Sequence, residues 1–506
     1  MNNTIKQITQ LDEILTTVAS FTHSQIAAAA LQARPRLTTL PAVEAQLTLT
    51  AEAHQLLAAS VTLTFFDLDQ LTAVKTKLDQ GLLLTATQLG TLGTFLTSSR
   101  RLTATMQQHA DIAPKLAAKA LTGDGLGHLA RELATMIQHG QIADAASPEL
   151  AKVRQQISQQ RQQVQAAVTQ FVQKHPQAVT NRRLITRDAH ICVQLKAQYK
   201  NRFAGQVIDQ SATGATVFFE PQAARQRADQ LAVLLTTEAA IVYQLLATLT
   251  GDVQTHWPTI VTQQAWMAEL DQIMACGQYG LDQQARMPQL TADQHIKIVA
   301  GRHPLLTDAV PLNLELTSQQ GLMITGANSG GKTVVLKTIA LFALMIQVGL
   351  ELPVAAATTM PVFSQIWIDI GDNQSLNAQL STFAAELTTL VTMTNAIKPH
   401  ALVLLDEIGS GTDPEEGSAL SIAIIEALQA QHATIIATTH FSAIKEFAVI
   451  CPSFMTATMA FDPQTLRPTY HLLLNQVGAS EAIWLAQRLG LQSQIIAAAK
   501  RRLTTK

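Results

Sequence analysis

The stretch Gly326-Ala327-Asn328-Ser329-Gly330-Gly331-Lys332-Thr333 decides the fold of the last third of this chain. It fits the pattern G-x-x-x-x-G-K-[ST] of a phosphate-binding loop. The apolar residues 321–325 before it predict a short strand, and apolar residues at helical spacing from Val334 to Val348 predict a helix after it. A strand, a glycine-rich turn and a helix form the context in which backbone N–H groups and a helix N-terminus bind phosphate.

The residue types in this loop suit ATP and Mg²⁺ as ligands. Lys332 is predicted to reach the phosphates, and the Thr333 hydroxyl is predicted to ligate Mg²⁺. The glycines let backbone N–H groups close around the β- and γ-phosphates. The predicted nucleotide-binding residues of this segment are Gly326, Ala327, Asn328, Ser329, Gly330, Gly331, Lys332, Thr333 and Val334.

Two later strands end in residues that complete such a site. The apolar run 402–405 is followed by Asp406 and Glu407, the Walker B arrangement, and a helix is predicted to start near Pro414. Asp406 would hold Mg²⁺ and Glu407 would orient and polarise the attacking water. The apolar run 433–439 ends in His440, which is placed to sense the γ-phosphate. Alone, His440 would be read as a capping or core histidine.

The composition indicates a multidomain protein of a reducing compartment. With 506 residues the chain is too long for one core, so two to four domains are expected. Three scattered cysteines without C-x-x-C spacing argue against a zinc site or a disulfide framework. Residues 1–7 lack the apolar core of a signal peptide, so none is expected. The most apolar stretch, 334–350, is interrupted by Lys337 and Gln347, which predicts a buried helix rather than a membrane span. We therefore expect a cytoplasmic protein.

The apolar pattern along the chain changes its period three times. Residues 1 to about 175 follow helical spacing, with breaks predicted at 37–41, 90–93 and 123–125. Strands are predicted between about 184 and 220, and a helix from Gln222 to about Thr250. A helix out, a small sheet and a helix back predict a protruding arm with a β tip. From about 291, strands and helices alternate, which predicts an α/β domain on a mainly parallel sheet, followed by two short helices around Gly490.

Positive charge is concentrated in the predicted arm. Residues 150–210 contain ten Lys and Arg residues and two Asp residues, a balance of 10 − 2 = +8 in a chain whose net charge is −2. Such an excess is typical of a surface that binds a phosphate backbone, although a solvated surface with ordinary scatter of charge is the alternative. The predicted nucleic-acid contacts are Arg182, Arg183, Arg187, Lys196, Lys200 and Arg202.

Several motifs outside the phosphate loop resemble the MutS family. They are residues 371–375 (GDNQS), 380–383 (LSTF), 406–413 (DEIGSGTD) and 437–440 (ATTH), in the order and spacing of that family. The arm segment 207–221 and the segments 478–482 and 486–491 are similar to bacterial MutS paralogues of type two, so the resemblance covers nearly the whole chain.

The resemblance implies a dimeric ATPase of the ABC-type nucleotide-sandwich kind. Ser381, at the start of a helix, would contact the γ-phosphate held by the other subunit, and Gln374 would also belong to the nucleotide site. His303, in the segment 302–304, would lie near the adenine. Ser381 is also a reasonable N-cap, and both roles are compatible.

The resemblance also defines the expected domains. We expect a helical core over 1–150, an arm with a β tip over 151–224, a helical lever over 225–290, and an ABC-type P-loop ATPase domain with a helical dimerisation segment over 291–506. The fold class is thus multidomain α plus α/β.

Two features of mismatch-binding and type-two relatives are not expected in this sequence. The chain begins with core-like helices, which predicts no mismatch-wedge domain, and Phe218 and Glu220 fit that domain's Phe-x-Glu motif by letters only and are predicted to be structural. The sequence ends at Lys506 after the ATPase motifs, which predicts no Smr nuclease domain. Ala327 replaces a proline that is usual in the family, which should not remove nucleotide binding.

Three functions compete at this stage. The first is a homodimeric sensor of branched or aberrant DNA that restrains recombination. The second is an ATP-dependent sensor of stalled or collided ribosomes, which would bind ribosomal RNA through the same basic arm. The third is an assembly protein in which ATP only holds the dimer together; the presence of Glu407 and His440 argues against it. Mismatch repair ranks below the first two. Backbone binding carries no sequence information, so these residues do not separate DNA from RNA.

Overall fold

The fold is described from a computed structural model that covers residues 3–121, 125–188, 190–317, 321–326, 330–370, 379–410, 412–462, 465, 467–478, 482–488 and 490–504. The chain forms two compact units. The first unit comprises Met1–Phe65, Leu102–Ala120 and Trp266–Lys506, and the second comprises Phe66–Arg101 and Leu121–Ala265. Helices and several β-sheets occur together, as the predicted multidomain α plus α/β class requires.

Helices make up most of the described chain up to Met136, as predicted, but a two-stranded hairpin within residues 137–142 interrupts the helical pattern predicted to continue to about residue 175. The helices are α1 (Asn3–Ile8), α2 (Leu11–Ala19), α3 (Gln25–Gln32), α4 (Leu40–Ala58), α5 (Thr72–Asp79), α6 (Ala86–Gln108), α7 (Pro114–Lys119) and α8 (Gly127–Met136). Helix α3 begins where the Ser24 hydroxyl accepts a hydrogen bond from the Ala27 N–H, and α4 has a proline in its first turn. The predicted break at 37–41 is confirmed by the gap between α3 and α4.

The predicted break at 90–93 is wrong, because Gly90 and Gly93 lie inside α6. A Cβ atom at Gly90 would lie 3.1 Å from the Ile137 side chain, and one at Gly93 would lie 3.1 Å from the Leu133 Cβ. The glycines therefore let the following segment pack closely against α6. Their packing role outweighs their low helix propensity.

The predicted β tip is a four-stranded antiparallel sheet in the second unit. It follows a two-stranded hairpin, β1 and β2, and the long polar helix α9, which covers one face of the sheet with Val168 and Val172. These elements are β1 (Ile137–Gln138), β2 (Gln141–Ile142), α9 (Pro148–Lys174), β3 (Val179–Arg187), β4 (His190–Lys196), β5 (Gly205–Gln210) and β6 (Thr216–Pro221), with sheet order β3-β4-β6-β5. Phe218 and Glu220 are both buried in β6, which confirms their predicted structural role.

The helix that leaves this sheet is longer than predicted. Helix α10 runs from Gln222 to Asp282, 61 residues, and does not end near Thr250. Gly251 and Pro258, which suggest an ending, both lie inside it. The carboxyl-terminal part continues as a helix because its apolar face is buried: Ala275, Cys276 and Tyr279 belong to the largest apolar core of the first unit.

Helix α10 is also the one described helix that is long and apolar enough to cross a membrane by length and composition alone. None of its most apolar window is buried, and a single helix of this kind is weak evidence of a membrane span. The stretch 334–350 that the sequence singled out is instead mostly buried inside the first unit, apart from the exposed Val334 and the half-buried Lys337. The exposed part of α10 makes polar contacts with α9, including Arg154 Nε to Glu238 Oε1 at 2.7 Å.

We expect the substitution of alanine for glycine to change the free energy of unfolding in opposite directions at two positions of α10. A Cβ at Gly277 would lie 2.8 Å from the His54 backbone nitrogen, whereas a Cβ at Gly251 would meet nothing within 4 Å. We expect Gly277→Ala to lower the free energy of unfolding by about 1–3 kcal/mol, because the backbone of α4 cannot move away cheaply. Gly251→Ala should raise it by about 0.5–1 kcal/mol. Urea denaturation followed by circular dichroism measures both, and equal midpoints would contradict the close contact between α10 and α4.

The last third contains two sheets and the remaining helices. Their elements are β7 (Gln289–Thr291), β8 (Ile296–Gly301), β9 (Leu312–Leu316), β10 (Gly321–Thr325), α11 (Lys332–Gln347), β11 (Thr359–Pro361), β12 (Ile366–Asp369), α12 (Gln379–Ala396), β13 (Leu402–Leu405), α13 (Pro414–Ala430), β14 (Thr434–Thr438), α14 (Ser442–Ile450), β15 (Phe454–Asp462), β16 (Arg467–Leu474), α15 (Ala482–Arg488) and α16 (Ser493–Thr504). The smaller sheet has the order β7-β11-β8-β9.

The larger sheet positions the candidate site. Its order is β12-β13-β14-β10-β15-β16, and all neighbours are parallel except β15 and β16, which confirms the predicted mainly parallel sheet. Leu322 and Ile324 of β10 belong to the core that contains α11, whereas Met323 between them belongs to the core that contains α13 and α14. Helices therefore cover both faces, and the carboxyl ends of the parallel strands meet at one edge, where such sheets bind ligands.

Candidate nucleotide-binding site

The phosphate loop lies between β10 and α11, and its described residues have the backbone that the motif requires. Gly326 and Gly331 have φ values of +112° and +91°, a left-handed conformation that favours glycine. Helix α11 starts directly afterwards, at Lys332, so its first N–H groups point toward the loop. Ala327, Asn328 and Ser329 lie outside the described residues.

Lys332 is buried at the base of this loop, with only 2% of its surface exposed. Its Nζ donates a hydrogen bond to the Gly326 carbonyl at 2.8 Å, which closes the loop across its two ends. Burial lowers the pKa of the Lys332 ammonium, and the nearby carboxylates of Glu407 and Asp406 oppose that shift. A buried cation between a glycine-rich loop and a helix N-terminus is suited to a polyanionic ligand.

Asp406 links the loop to the neighbouring strands. It follows β13, and its Oδ2 accepts a hydrogen bond from the Thr333 hydroxyl at 2.7 Å. Its other oxygen, Oδ1, accepts from the Thr438 hydroxyl at 2.5 Å. A hydroxyl and a carboxylate that meet in this way fit Mg²⁺, which takes few protein ligands and completes its shell with phosphate and water oxygens. The described residues contain no cluster of three or more His, Cys, Asp or Glu side chains able to hold a metal.

Glu407 has a strained backbone, with φ at +54° in the left-handed region. Its N–H donates to the Thr438 hydroxyl at 2.7 Å, and the next N–H, of Ile408, donates to the Thr438 carbonyl at 3.2 Å. Strain of this kind is common where a side chain is held for a functional purpose.

Two further residues lie at the same edge of the sheet. His440 follows β14 by two residues and is exposed, with its ring centroid 4.5 Å from that of Phe441. Asp369 ends β12, and its carbonyl accepts the Asp406 N–H at 2.9 Å. Burial and the Asp406 charge raise the pKa of the Asp369 carboxyl to about 6. The sequence analysis did not select Asp369.

A mainly apolar cavity of about 320 Å³ adjoins the loop through Gly331 and Val334. His303, which the resemblance placed near the adenine, lines this cavity and is 7% exposed. Burial and the charge of Lys337 lower the pKa of the His303 imidazole, which favours the neutral ring. The other lining side chains include Leu306, Val310, Met459 and Tyr470.

Tyr470 is a candidate that the sequence analysis missed. Its backbone has φ at +61°, and its side chain is exposed although it belongs to strand β16. The pairing of β16 with β15 shifts register between Met459 and Phe461, opposite this residue. Such an irregularity re-aims a side chain, here into the cavity next to Gly331. No local sequence pattern marks Tyr470.

Two residues that the resemblance assigned cannot be placed. Gln374 lies outside the described residues. Ser381 lies within α12, but its side chain is outside the described part of the structure. Their predicted roles stay predictions.

The six predicted nucleic-acid contacts are all exposed, on the antiparallel sheet of the second unit and on the connection between its strands β4 and β5. Arg187 lies with its guanidinium 4.8 Å from the centre of the Phe218 ring and 3.9 Å from the Asp209 carboxylate. Among the described side chains, Arg182, Arg183, Lys196, Lys200 and Arg202 form no ion pair within 4 Å. Arg154, counted in the excess charge, is instead paired with Asp144 and Glu238, each at 2.7 Å.

Comparison with known proteins agrees with the resemblance. Residues 322–505 match the family model of MutS domain V. A protein named "Endonuclease MutS2" from Pelotomaculum thermopropionicum is 36% identical over 433 residues, which cover 85% of this chain and 55% of that protein. Its namesake from Exiguobacterium sibiricum is 33% identical over 100% of this chain and 65% of that protein. A third, from Lactiplantibacillus plantarum, is 35% identical over 82% and 54%. The chain thus spans roughly half to two thirds of these relatives.

Proposed function

This chain belongs to the MutS family as a MutS2 paralogue, and we propose that it is a homodimeric, Mg²⁺-dependent ATPase that binds branched or aberrant DNA through its basic sheet. The observation that carries the proposal is the convergence of Lys332, Thr333, Asp406 and Glu407 at one edge of a parallel sheet. Four residues from two chain segments meet there, and each is of the type that phosphoryl transfer uses. We further propose that the protein acts in the cytoplasm.

The proposed hydrolysis follows from the side chains at this edge. The loop N–H groups and the Lys332 ammonium bind the phosphates, and the helix N-terminus adds positive potential. Thr333 and Asp406 are the residues that would hold Mg²⁺, which neutralises phosphate charge when it is bound. The Glu407 carboxylate orients the attacking water, and His440 at the adjacent strand end contacts the γ-phosphate.

The apolar cavity beside the loop is the proposed base pocket, with Tyr470 as a stacking surface. Tyr470→Ala should raise the Kd for ATP about tenfold, because base–aromatic stacking contributes about 1–3 kcal/mol. Tyr470→Phe keeps the ring and should retain wild-type affinity. Inorganic tripolyphosphate has no base, so its affinity should be equal in all three proteins. Displacement of a fluorescent nucleotide measures each Kd, and a parallel loss of tripolyphosphate binding would show that Tyr470 shapes the phosphate loop instead.

The exposed basic sheet is the proposed nucleic-acid surface. Arginine and lysine side chains recognise phosphate oxygens, which positions a protein on nucleic acid without reading its sequence. The relatives' printed name, "Endonuclease MutS2", is the reason to place DNA first. Since ribosomal RNA presents the same phosphates, collided ribosomes are the alternative target. Nuclease activity is no part of this proposal.

A second copy of the chain is the proposed partner at the nucleotide site. His440 and Val334 are exposed at the edge where the phosphates would lie. A dimer closing over this edge would couple ATP binding to subunit geometry, and the resemblance assigns Ser381 of the other subunit to that contact.

A competition assay separates the two targets. The protein, loaded with a slowly hydrolysed ATP analogue, is bound to a labelled four-way DNA junction and titrated with linear duplex and, in parallel, with collided ribosomes. Resistance of the junction complex to both competitors supports the DNA proposal. Displacement by ribosomes alone at low concentration replaces it with the translation alternative. Equal displacement by linear duplex would mean that the protein does not recognise branched structure.

A further inference from the structure

Thr438, the last residue of β14, connects three groups at the proposed ATP site. Its hydroxyl donates to Asp406 Oδ1 at 2.5 Å and accepts the Glu407 N–H at 2.7 Å. Its carbonyl accepts the Ile408 N–H at 3.2 Å. The residue is completely buried, so solvent cannot replace these hydrogen bonds.

The two threonine hydroxyls fix the orientation of the Asp406 carboxylate. Thr333 donates to Oδ2 and Thr438 donates to Oδ1, so each carboxylate oxygen has its own donor. Thr333 lies in α11, directly after the predicted phosphate loop. Thr438 lies in β14, the strand between β13 and β10 in the larger sheet. Only the second is available to hold Asp406 if Thr333 turns toward a metal ion.

The same hydroxyl holds the backbone turn that aims Glu407. A glutamate at φ +54° is strained and stays there only when its surroundings require it. The Glu407 and Ile408 N–H groups both donate hydrogen bonds to Thr438, and these bonds fix two consecutive peptide groups to β14. The direction of the Glu407 side chain therefore depends on a residue in the neighbouring strand.

We propose that Thr438 is a positioning residue of the ATP site, which orients Asp406 for metal binding and Glu407 for water activation through one hydroxyl. This inference rests on the proposed ATPase function and assigns to it a completely buried residue that acts through Asp406 and Glu407. Thr439, the next residue, is not equivalent: its hydroxyl accepts the Phe441 N–H at 3.1 Å and so shapes the following turn.

The test uses three variants of the full chain. Thr438→Val removes the hydroxyl at almost constant volume, and Thr438→Ser keeps the hydroxyl. Thr434→Val makes the same change in a buried residue of the same strand that takes no part in these hydrogen bonds. Hydrolysis is measured as kcat and KM for ATP, ADP affinity is measured with and without Mg²⁺, and folding is followed by thermal unfolding.

Thr438→Val should lower kcat about 100-fold while KM stays within about threefold, since a misplacement of about 1 Å in a catalytic site costs that much. The gain in ADP affinity that Mg²⁺ gives the wild type should shrink in this variant. Thr438→Ser and Thr434→Val should both behave as the wild type. An unchanged kcat in Thr438→Val, or an equal loss in Thr434→Val, would overturn the proposal.

Hydrogen exchange on the wild-type protein covers the case in which Thr438→Val does not fold. The Glu407 and Ile408 amides should exchange slowly without nucleotide, and rapid exchange would overturn the proposal as well. A wild-type protein that neither binds nor hydrolyses ATP would instead refute the proposed function itself. The two failures are therefore distinguishable.

Discussion

Replacing Lys332 with alanine is expected to abolish ATP-dependent activity, with a fall in kcat of about 100-fold or more. The Lys332 ammonium is buried, and it closes the predicted phosphate loop through a hydrogen bond to the Gly326 carbonyl. Without it, a multiply charged phosphate group would enter a buried site next to Asp406 and Glu407 without the ammonium that offsets those negative charges. Phosphate release from ATP and equilibrium nucleotide binding measure the effect.

Lys398→Ala is the matched control, because Lys398 is an exposed lysine of the same unit outside the site. It should hydrolyse ATP at the wild-type rate. Thermal unfolding of both variants separates lost chemistry from lost folding. Hydrolysis by Lys332→Ala at the wild-type rate would show that the loop is not the nucleotide site.

Reversing three charges on the antiparallel sheet is expected to give the largest loss of nucleic-acid binding. Arg182, Arg183 and Lys196 are exposed and form no ion pair among the described side chains, so they are available to phosphate oxygens. Changing them to glutamate should lower the affinity for a DNA junction at least about 100-fold at low salt. The slope of log K against log salt should flatten by about 2.7, which is roughly 0.9 for each of three lost phosphate contacts.

A second triple variant controls for net charge. Lys75, Arg100 and Arg131 are exposed in the same unit but lie outside the sheet, and their reversal changes the charge of the protein by the same amount. Binding should fall only slightly, with the wild-type salt slope. Equal losses in the two triple variants would mean that total charge, rather than this sheet, governs binding.

The strands and helices around residues 326–333 and 406–407 were predicted well, because the motifs in these segments carry local backbone rules. Strands β10 and β13 begin and end at the predicted residues, and α13 begins at Pro414. Helix α11 begins at Lys332, two residues before the predicted Val334, because the last loop glycine serves directly as its N-cap. A glycine-rich turn between an apolar strand and an apolar helix is compatible with few local structures other than a phosphate-binding loop.

The errors arise where tertiary packing decides the local structure. Gly90 and Gly93 predicted a break but serve close packing inside α6. The predicted strand region began near 184, whereas β3 begins at Val179, because the exposed residues 180–183 show no apolar–polar alternation. Gly251 lies in the interior of α10, whose carboxyl-terminal part is buried.

The site residues that were missed share one property: their importance depends on three-dimensional neighbours. Tyr470 becomes notable only through its left-handed backbone beside an apolar cavity. Thr438 is one of several threonines near a strand end, and its selection needs the hydrogen bonds to Asp406 and Glu407. Asp369 is marked by burial next to another carboxylate. Single-sequence patterns contain none of this information.

The most direct test of the account is the effect of nucleotide on nucleic-acid affinity. The Kd for a labelled four-way junction is measured with and without a slowly hydrolysed ATP analogue, in the wild type and in Lys332→Ala, at one fixed salt concentration. We predict a nucleotide-dependent change of about fivefold or more in the wild type, the lower end of typical allosteric coupling, and no change in Lys332→Ala. An equal Kd with and without nucleotide in the wild type, or the same shift in Lys332→Ala, would contradict it.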